Sequence, residues 1–214
     1  LLACEKNVCE INKDFQVAYY SVILKVYISI APEKCVSVFE RLSSAVNTAV
    51  EIESYRIAYR IVINDIDFEE VYDYSLNKND FRLLVNYLAV TNNPASIVTN
   101  IEKHKDVLEK SSDAFIIYVH SLFEIGNVDI AKSILQDYAT LYDKYYEYWD
   151  TYLLVAKSNE IKTAFIDRSS KFSFEFLNPY SQYSLIDRLI CFKEYSLANK
   201  YIERASMSNL DDLS

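Results

Sequence analysis

Apolar residues recur three and four positions apart along most of this chain, and the clearest run lies between Ser112 and Arg168. The first half of that run keeps the spacing on both sides of a single break at Gly126 and Asn127. The second half repeats the arrangement around a polar break at residues 157–160. This spacing is typical of amphipathic helices, and a short break between two of them predicts a tight turn. Two such hairpins in succession predict a helical repeat.

The same pattern divides the rest of the chain into helix pairs. We predict six pairs within residues 15–205, after a partial helix at 1–14 and before an acidic tail at 206–214. The predicted helices are 15–30, 33–44, 54–64, 68–76, 80–91, 93–109, those of the hairpins 112–142 and 145–170, 180–194 and 196–205.

The three prolines support this division. Pro32, Pro94 and Pro179 each fall at a predicted helix start. A proline loses no hydrogen bond there, because the first turn of a helix has no partner for its N–H. Inside a helix a proline costs about 3 kcal/mol, so a division with these residues in mid-helix is disfavoured.

A short motif of an apolar residue, an acid and a base recurs near the ends of the predicted second helices. Its clear copies are Phe39-Glu40-Arg41, Ile166-Asp167-Arg168 and Ile202-Glu203-Arg204, and weaker copies end at residues 74, 103 and 137. The mean step between copies is about 33 residues, a period typical of two-helix repeats. One such unit cannot bury its apolar face alone, so neighbours must stack. We therefore predict an all-α fold, a right-handed α-solenoid of about six antiparallel helix pairs.

Together with these second helices, an aromatic-x-x-Tyr motif in the first helices resembles the HAT (half-a-TPR) repeat. The matching first-helix residues are Phe115-x-x-Tyr118, Trp149-x-x-Tyr152 and Tyr180-x-x-Tyr183. The resemblance covers about residues 15–205, and tetratricopeptide (TPR) and pentatricopeptide repeats share its period and much of its pattern. Two repeats depart from it: Tyr74 stands where arginine is expected, and Leu84-x-x-Tyr87 lacks the first aromatic residue.

The resemblance implies a function as well as a fold. HAT repeats are characteristic of RNA-processing scaffolds, so the chain is expected to be a non-catalytic subunit that binds other protein subunits of a multiprotein complex. The expected process is mRNA 3′-end cleavage and polyadenylation or splicing, and the expected location is the nucleus. The order of pairs ending in residues 185–192 is most similar to the C-terminal HAT half of cleavage-stimulation scaffold subunits, which implies a homodimer.

Two other functions remain open at this point. A pentatricopeptide-like protein would bind RNA directly, and its affinity would fall steeply with salt. A TPR-type adaptor in membrane traffic or complex assembly would differ from the first reading only in its partners. With these alternatives go a cytoplasmic or a mitochondrial location.

Composition argues against catalysis and cofactors. Gly126 is the only glycine, whereas phosphate-binding and dinucleotide-binding loops need two or three. No nucleophile, zinc-protease or paired-carboxylate motif is present. The four cysteines form no Cys-x-x-Cys pair, and only His104 and His120 could join them in a metal site. We expect no enzyme activity, no cofactor and no metal, with reduced cysteines in an intracellular protein.

Charge and hydropathy limit the partners. The net charge is −9, the opposite of the usual nucleic-acid-binding footprint, so direct nucleic-acid contact is expected to be weak or absent. The basic residues Lys157, Lys162, Arg168 and Lys171 could contact RNA phosphate, and the alternative is a solvated face. Uncharged runs stop short of the ~18 residues that a membrane helix needs, so no membrane insertion is expected.

The tyrosine-rich stretch 142–149 is the predicted partner interface. Its five aromatic residues are too many for one helix face, so some are expected to be exposed. The interface candidates are Tyr142, Tyr145, Tyr146 and Tyr148, and the alternative is packing between repeats.

A second set of residues is expected to hold the repeats together. The arginines should form ion pairs with a neighbouring helix, the alternative being a ladder of acid-arginine pairs that binds a partner, and the aromatic residues should pack in the core between paired helices. This structural set comprises Arg41, Tyr118, Trp149, Tyr152, Arg168 and Arg204. For Trp149 and Tyr152 the alternative is a peptide-binding platform.

Overall fold

The computed structural model describes residues 19, 20, 22–24, 26, 27, 30, 31, 34–45, 49–91 and 93–211, and every regular element among them is helical. The all-α prediction is therefore confirmed for this part of the chain. The predicted partial helix at 1–14 and the predicted helix start at Pro32 lie outside the described residues.

Two compact units make up the chain, Leu1–Asn92 and Asn93–Ser214, and the third predicted pair contributes one helix to each. The first unit contains α1 (Cys35–Ala45), α2 (Ala49–Val62), α3 (Phe68–Lys78) and α4 (Arg82–Thr91). The second contains α5 (Pro94–Lys103), α6 (Val107–Lys110), α7 (Ser112–Glu124), α8 (Val128–Asp137), α9 (Ala139–Tyr142), α10 (Tyr146–Ala156), α11 (Asn159–Ser169), a 3₁₀ turn (Phe174–Phe176), α12 (Pro179–Cys191) and α13 (Tyr195–Asp211).

In the first unit α1 packs against α2, and both α2 and α3 pack against α4. Arg60, near the end of α2, fixes the connection to α3. Its Nε donates a hydrogen bond to the carbonyl oxygen of Asp65 at 2.9 Å, and its Nη2 donates to Oε2 of Glu70 at 3.0 Å. Because Glu70 lies in the first turn of α3, one side chain holds two helix ends together.

The second unit repeats one packing pattern. The helix α7 packs against α8, α10 packs against α11, and α12 packs against α13. In addition α7 packs against α10, and α10 packs against α12. These three first helices begin at residues 112, 146 and 179, so their starts are 34 and 33 residues apart. Each hairpin therefore stacks on the hairpin before it at the period that the motif predicts.

The three first helices also end in the same way. Gly126 follows α7 with a φ of +84°, and Lys157 and Lys193 follow α10 and α12 with φ values of 44° and 64°. This left-handed conformation lets the N–H groups after a helix reach its last free carbonyls. The N–H of Asn127, for example, donates to the carbonyl of Leu122 at 2.9 Å. Only the first of the three positions carries glycine, the residue that adopts such a φ without strain.

Helix starts follow the predicted asparagine-proline rule at both described sites. Pro94 and Pro179 lie in the first turns of α5 and α12. The side chain of Asn93 accepts a hydrogen bond from the N–H of Ser96 at 3.1 Å, as Asn178 does from Ser181 at 2.9 Å. These caps satisfy amide groups that have no partner inside the helix.

Several helix bounds differ from the predicted ones, and α2 begins at Ala49 although its predicted start is residue 54. The predicted helix 93–109 is broken into α5 and α6, which lets Val107 and Leu108 turn inward until both are fully buried. The extra turn α9 carries Tyr142 into the core. Finally, α13 continues to Asp211, past the predicted end at residue 205, because no glycine or proline interrupts it there.

Candidate interaction surfaces

The tyrosine-rich stretch crosses three local structures, namely the end of α9, a turn and the start of α10. Its four tyrosines differ sharply in exposure. Tyr142 is 5% exposed, Tyr146 and Tyr148 are each 2% exposed, and Tyr145 is 45% exposed. Only one of the four predicted interface residues therefore presents a large part of its surface to solvent.

Tyr142 and Tyr148 pack on α7 through Phe115. The ring centroid of Phe115 is 4.6 Å from that of Tyr142 and 6.4 Å from that of Tyr148. Both hydroxyl groups are used inside the fold: Tyr142 donates to the carbonyl of Leu108, and Tyr148 donates to the carbonyl of Leu135 at 2.9 Å. Burial raises the pKa of Tyr142 to about 12 and raises that of Tyr148 as well. These tyrosines join α6, α7, α8 and α10.

Tyr146 points to the next hairpin instead. It lies in a core with Phe165 and Phe172, whose ring centroids are 6.4 and 6.0 Å away. Its hydroxyl donates to Oγ of Ser184 on α12 at 2.7 Å. Burial raises the pKa of Tyr146, and the hydrogen bond with Ser184 opposes that rise only in part.

The interface prediction is therefore corrected for Tyr142, Tyr146 and Tyr148, which lie in the core. The physical reason is the change of direction between α9 and α10. Aromatic residues that would crowd one face of a single helix are divided between the preceding and the following hairpin. Tyr145 keeps its place as a surface candidate. The cavity beside it, lined in part by Asp113 and Glu147, has a volume of about 50 Å³, which is far below that of an ordinary ligand pocket.

Trp149 and Arg168 meet at one residue, Asp143. The indole Nε1 of Trp149 donates to the carbonyl oxygen of Asp143 at 2.6 Å, and Nε of Arg168 donates to the same oxygen at 3.1 Å. The Arg168 guanidinium also donates from Nη2 to Oδ1 of Asp143 at 2.7 Å. The partner of Arg168 is thus the turn before α10, within its own helix pair. Tyr152 is buried and stacks on Trp149 with 6.3 Å between centroids, as a packing residue would.

The remaining motif residues have different environments. Tyr118 is 1% exposed in the middle of α7. Arg204 on α13 lies 3.7 Å from the carboxylate of Glu175 and 5.7 Å from the ring of Tyr201. Arg41 lies on the exposed side of α1. The repeated motif therefore marks similar places in the sequence without placing each arginine in the same contact.

Polar contacts join successive first helices. Between α7 and α10, Nε2 of His120 is 3.1 Å from Oγ1 of Thr151. Between α10 and α12, Oε1 of Glu147 accepts from the hydroxyl of Ser181 at 2.9 Å. A third contact, between Arg188 and Asp150, spans the same interface. Burial lowers the pKa of His120, against the opposing charges of Asp150 and Glu124.

Sequence reasoning missed the exposed aromatic residues at the start of α12. Tyr180 is 81% exposed and Tyr183 is 76% exposed, although the aromatic-x-x-Tyr motif grouped them with buried pairs. The core positions of α12 are instead Ser181, Leu185 and Leu189. These residues are four apart, and that spacing is the signal in the sequence that could have revealed the face turned to solvent.

The predicted basic group is partly used within the fold. Arg168 pairs with Asp143, and Nζ of Lys162 lies 4.8 Å from the centroid of the Phe192 ring. Lys157 forms the turn after α10, and Lys171 is exposed.

The described part of the chain shows no cluster of three His, Cys, Asp or Glu residues that could hold a metal ion. Of the cysteines in that part, Cys35 is buried and Cys191 is exposed, and neither forms a disulfide. Among the described helices, none combines the length and the apolar character needed to cross a bilayer.

The chain matches no protein-family model, and neither a curated protein nor a solved structure shows significant similarity to it.

Proposed function

We propose that this chain is a non-catalytic scaffold for protein–protein interaction, built as a right-handed α-solenoid of about six antiparallel helix pairs. The observation that carries the proposal is the stacking of α7, α10 and α12, whose starts are 34 and 33 residues apart. Stacked pairs extend a surface with every added unit, and extended surfaces are what repeat proteins use to bind partners.

The contacts within the stack favour a binding surface over an enclosed site. Polar groups that sequence patterns could assign to chemistry hold helices together instead, as His120 does with Thr151 and Arg168 with Asp143. The cavity beside Tyr145 is about 50 Å³, whereas the wider depressions beside Tyr138 and Phe39, of about 590 and 430 Å³, are open to solvent.

We assign the scaffold to an RNA-processing complex, either for mRNA 3′-end cleavage and polyadenylation or for splicing, in the nucleus. The support is the HAT-like motif, in particular its second-helix copies at Arg168 and Arg204. The net charge of −9 favours contact with protein subunits over contact with phosphate groups.

The test is purification of the tagged full chain from cells after mild crosslinking, followed by mass spectrometry. We expect subunits of an RNA-processing complex, retained after nuclease treatment because protein contacts hold them. Recovery of trafficking or assembly factors alone would favour the adaptor reading. In parallel, binding of a fluorescent single-stranded RNA is measured at increasing salt. Tight binding that weakens steeply with salt, without protein partners, would overturn the scaffold in favour of an RNA-binding protein.

A further inference from the structure

The helix α12 carries an aromatic stripe on its outer side. Tyr180, Tyr183, Asp187 and Ile190 are spaced by three and four residues, so they share one face of the helix. Tyr180 and Tyr183 are 81% and 76% exposed, and Ile190 is 43% exposed. Two tyrosines and an isoleucine thus share one solvated helix face, and contiguous exposed apolar surface often marks an interaction site.

The register of the repeat shows which contacts the equivalent face of α10 makes. The helices α10 and α12 begin 33 residues apart, at 146 and 179, so Tyr180 takes the place of Glu147 and Tyr183 that of Asp150. In α10 the residues at these two positions bind α12, the next first helix. Glu147 accepts a hydrogen bond from Ser181 at 2.9 Å, and Asp150 accepts one from Arg188 at 2.9 Å. The stripe on α12 is thus the equivalent of a surface that binds a helix.

The opposite face of the same helices, which contacts the preceding first helix, supports this register independently. Thr151 of α10 contacts His120 of the preceding first helix at 3.1 Å. Ser184, 33 residues later, contacts Tyr146 of the preceding first helix at 2.7 Å. Equivalent positions therefore face backward in both helices, which fixes the tyrosine stripe as the side that faces forward.

We infer that the stripe on α12 binds an amphipathic α-helix of a partner protein, with a basic or hydroxyl-bearing edge opposite Asp187 and the tyrosine hydroxyls. The occupant follows from the equivalent contacts: what docks on α10 is a helix that presents Ser181, Ser184 and Arg188 beside its apolar residues. Tyrosines suit this role because they bury a large area at small entropic cost.

Charge favours a helix of another protein over a second copy of this chain as the occupant of the stripe. The only charged residue of the stripe is Asp187, so a symmetric contact through it would bring two copies of that carboxylate together. A neutral or basic helix meets no such repulsion. This inference rests on the proposed scaffold function and names the kind of partner that one of its surfaces accepts.

The test uses two synthetic peptides of about 14 residues, which make four helical turns. Both carry the same leucine stripe, and their polar positions are lysine in one and glutamate in the other. Binding to the full chain is followed by fluorescence anisotropy of a label on the peptide. We expect the lysine peptide to bind and the glutamate peptide to bind at least about tenfold more weakly, equivalent to about 1.4 kcal/mol.

Three variants locate the site. Tyr180→Ser with Tyr183→Ser should weaken binding of the lysine peptide about tenfold or more, because tyrosine is enriched among the few interface residues that carry most of the binding energy. Asp187→Asn should weaken it less. Tyr195→Ser is the matched control, since Tyr195 is 58% exposed on α13 and lies outside the stripe, and it should bind normally. Thermal melting of each variant checks the fold.

Some results would overturn the inference. Equal binding of the lysine peptide to the wild type and the double variant would do so, as would equal binding of both peptides. Self-association of the wild type by sedimentation, lost in the double variant, would assign the stripe to a second copy. If purified wild type retains protein partners and the double variant retains the same ones, this inference fails while the scaffold proposal stands. If the wild type retains none, the scaffold proposal fails, and the peptide result still decides about the stripe.

Discussion

Arg188 on α12 donates a hydrogen bond from its Nε to Oδ1 of Asp150 on α10, across 2.9 Å. The contact joins two successive hairpins, and both side chains are partly shielded, with 37% and 31% of their surface exposed. Burial alone would lower the pKa of Arg188, but the charge and the hydrogen bond of Asp150 raise it above its ordinary value. The pair is therefore placed to contribute more than a fully solvated ion pair does.

A double-mutant cycle measures that contribution. We expect Asp150→Asn and Arg188→Met to be coupled by about 0.5–1 kcal/mol in the free energy of unfolding, with less coupling in high salt. Urea denaturation of the four proteins gives the value. Glu53 and Arg56, a more exposed pair on α2, serve as the control cycle with smaller coupling. No coupling between Asp150 and Arg188 would show that the contact is merely tolerated.

Within the tyrosine-rich stretch, we expect substitutions of Tyr148 and Tyr145 to differ in their effect on the free energy of unfolding. Tyr148→Ala should lower the free energy of unfolding by about 3–5 kcal/mol, because it empties a buried site next to Phe115. Tyr148→Phe should cost about 1 kcal/mol, since it removes only the hydrogen bond to Leu135. Tyr145→Ala should stay within about 0.5 kcal/mol, as most surface changes do. Chemical denaturation checks all three, and a large loss for Tyr145→Ala would contradict the division between core and surface.

His120 should make the fold less stable in acid. Burial lowers its pKa below the ordinary value of 6.5 in the folded chain, so the unfolded chain binds this proton first as the pH falls. The free energy of unfolding then decreases below about pH 6.5 and levels off only below the folded pKa. In His120→Gln this part of the decrease should vanish, because the amide can bond Thr151 without titrating. His104→Gln retains His120 and should retain the slope, and the comparison is made by denaturation at several pH values.

Lys193 offers a stabilising change. Its φ of 64° is costly for any residue with a Cβ. Its own N–H and that of Glu194 nevertheless close the end of α12, by donating to Ile190 and Leu189 at 2.9 Å. Lys193→Gly keeps both bonds and should raise the free energy of unfolding by about 0.5–1 kcal/mol. Lys200→Gly, in the middle of α13, should lower it by about 1 kcal/mol. Equal effects in thermal melting would refute the role of backbone conformation.

Local signals made much of this fold predictable. The asparagine caps at Asn93 and Asn178 and the single glycine act within a few residues of their own position, so sequence spacing locates them. The period of about 33 residues can also be found in the sequence, because each hairpin repeats the same short motif at the same place. The division of the chain into two compact units has no such local marker.

The placement of aromatic residues could not be predicted in the same way. Tyr148 and Tyr180 both belong to aromatic-rich helix starts, yet one is 2% and the other 81% exposed. What separates them is the neighbour: Tyr148 meets Phe115 of the preceding hairpin, whereas Tyr180 lies on the forward side of α12. A motif records residue types, but burial depends on which element stands opposite, and that is a property of the assembled stack.

The contacts that join hairpins span short stretches of chain. His120 and Thr151 are 31 residues apart, and Asp150 and Arg188 are 38 apart. The entropy lost on closing a loop grows with its length, so these contacts form at lower cost than contacts between more distant segments would. When a hairpin leaves the ribosome, the preceding helix against which it packs has therefore already been synthesised. Assembly of these hairpins can therefore follow translation, one hairpin after another.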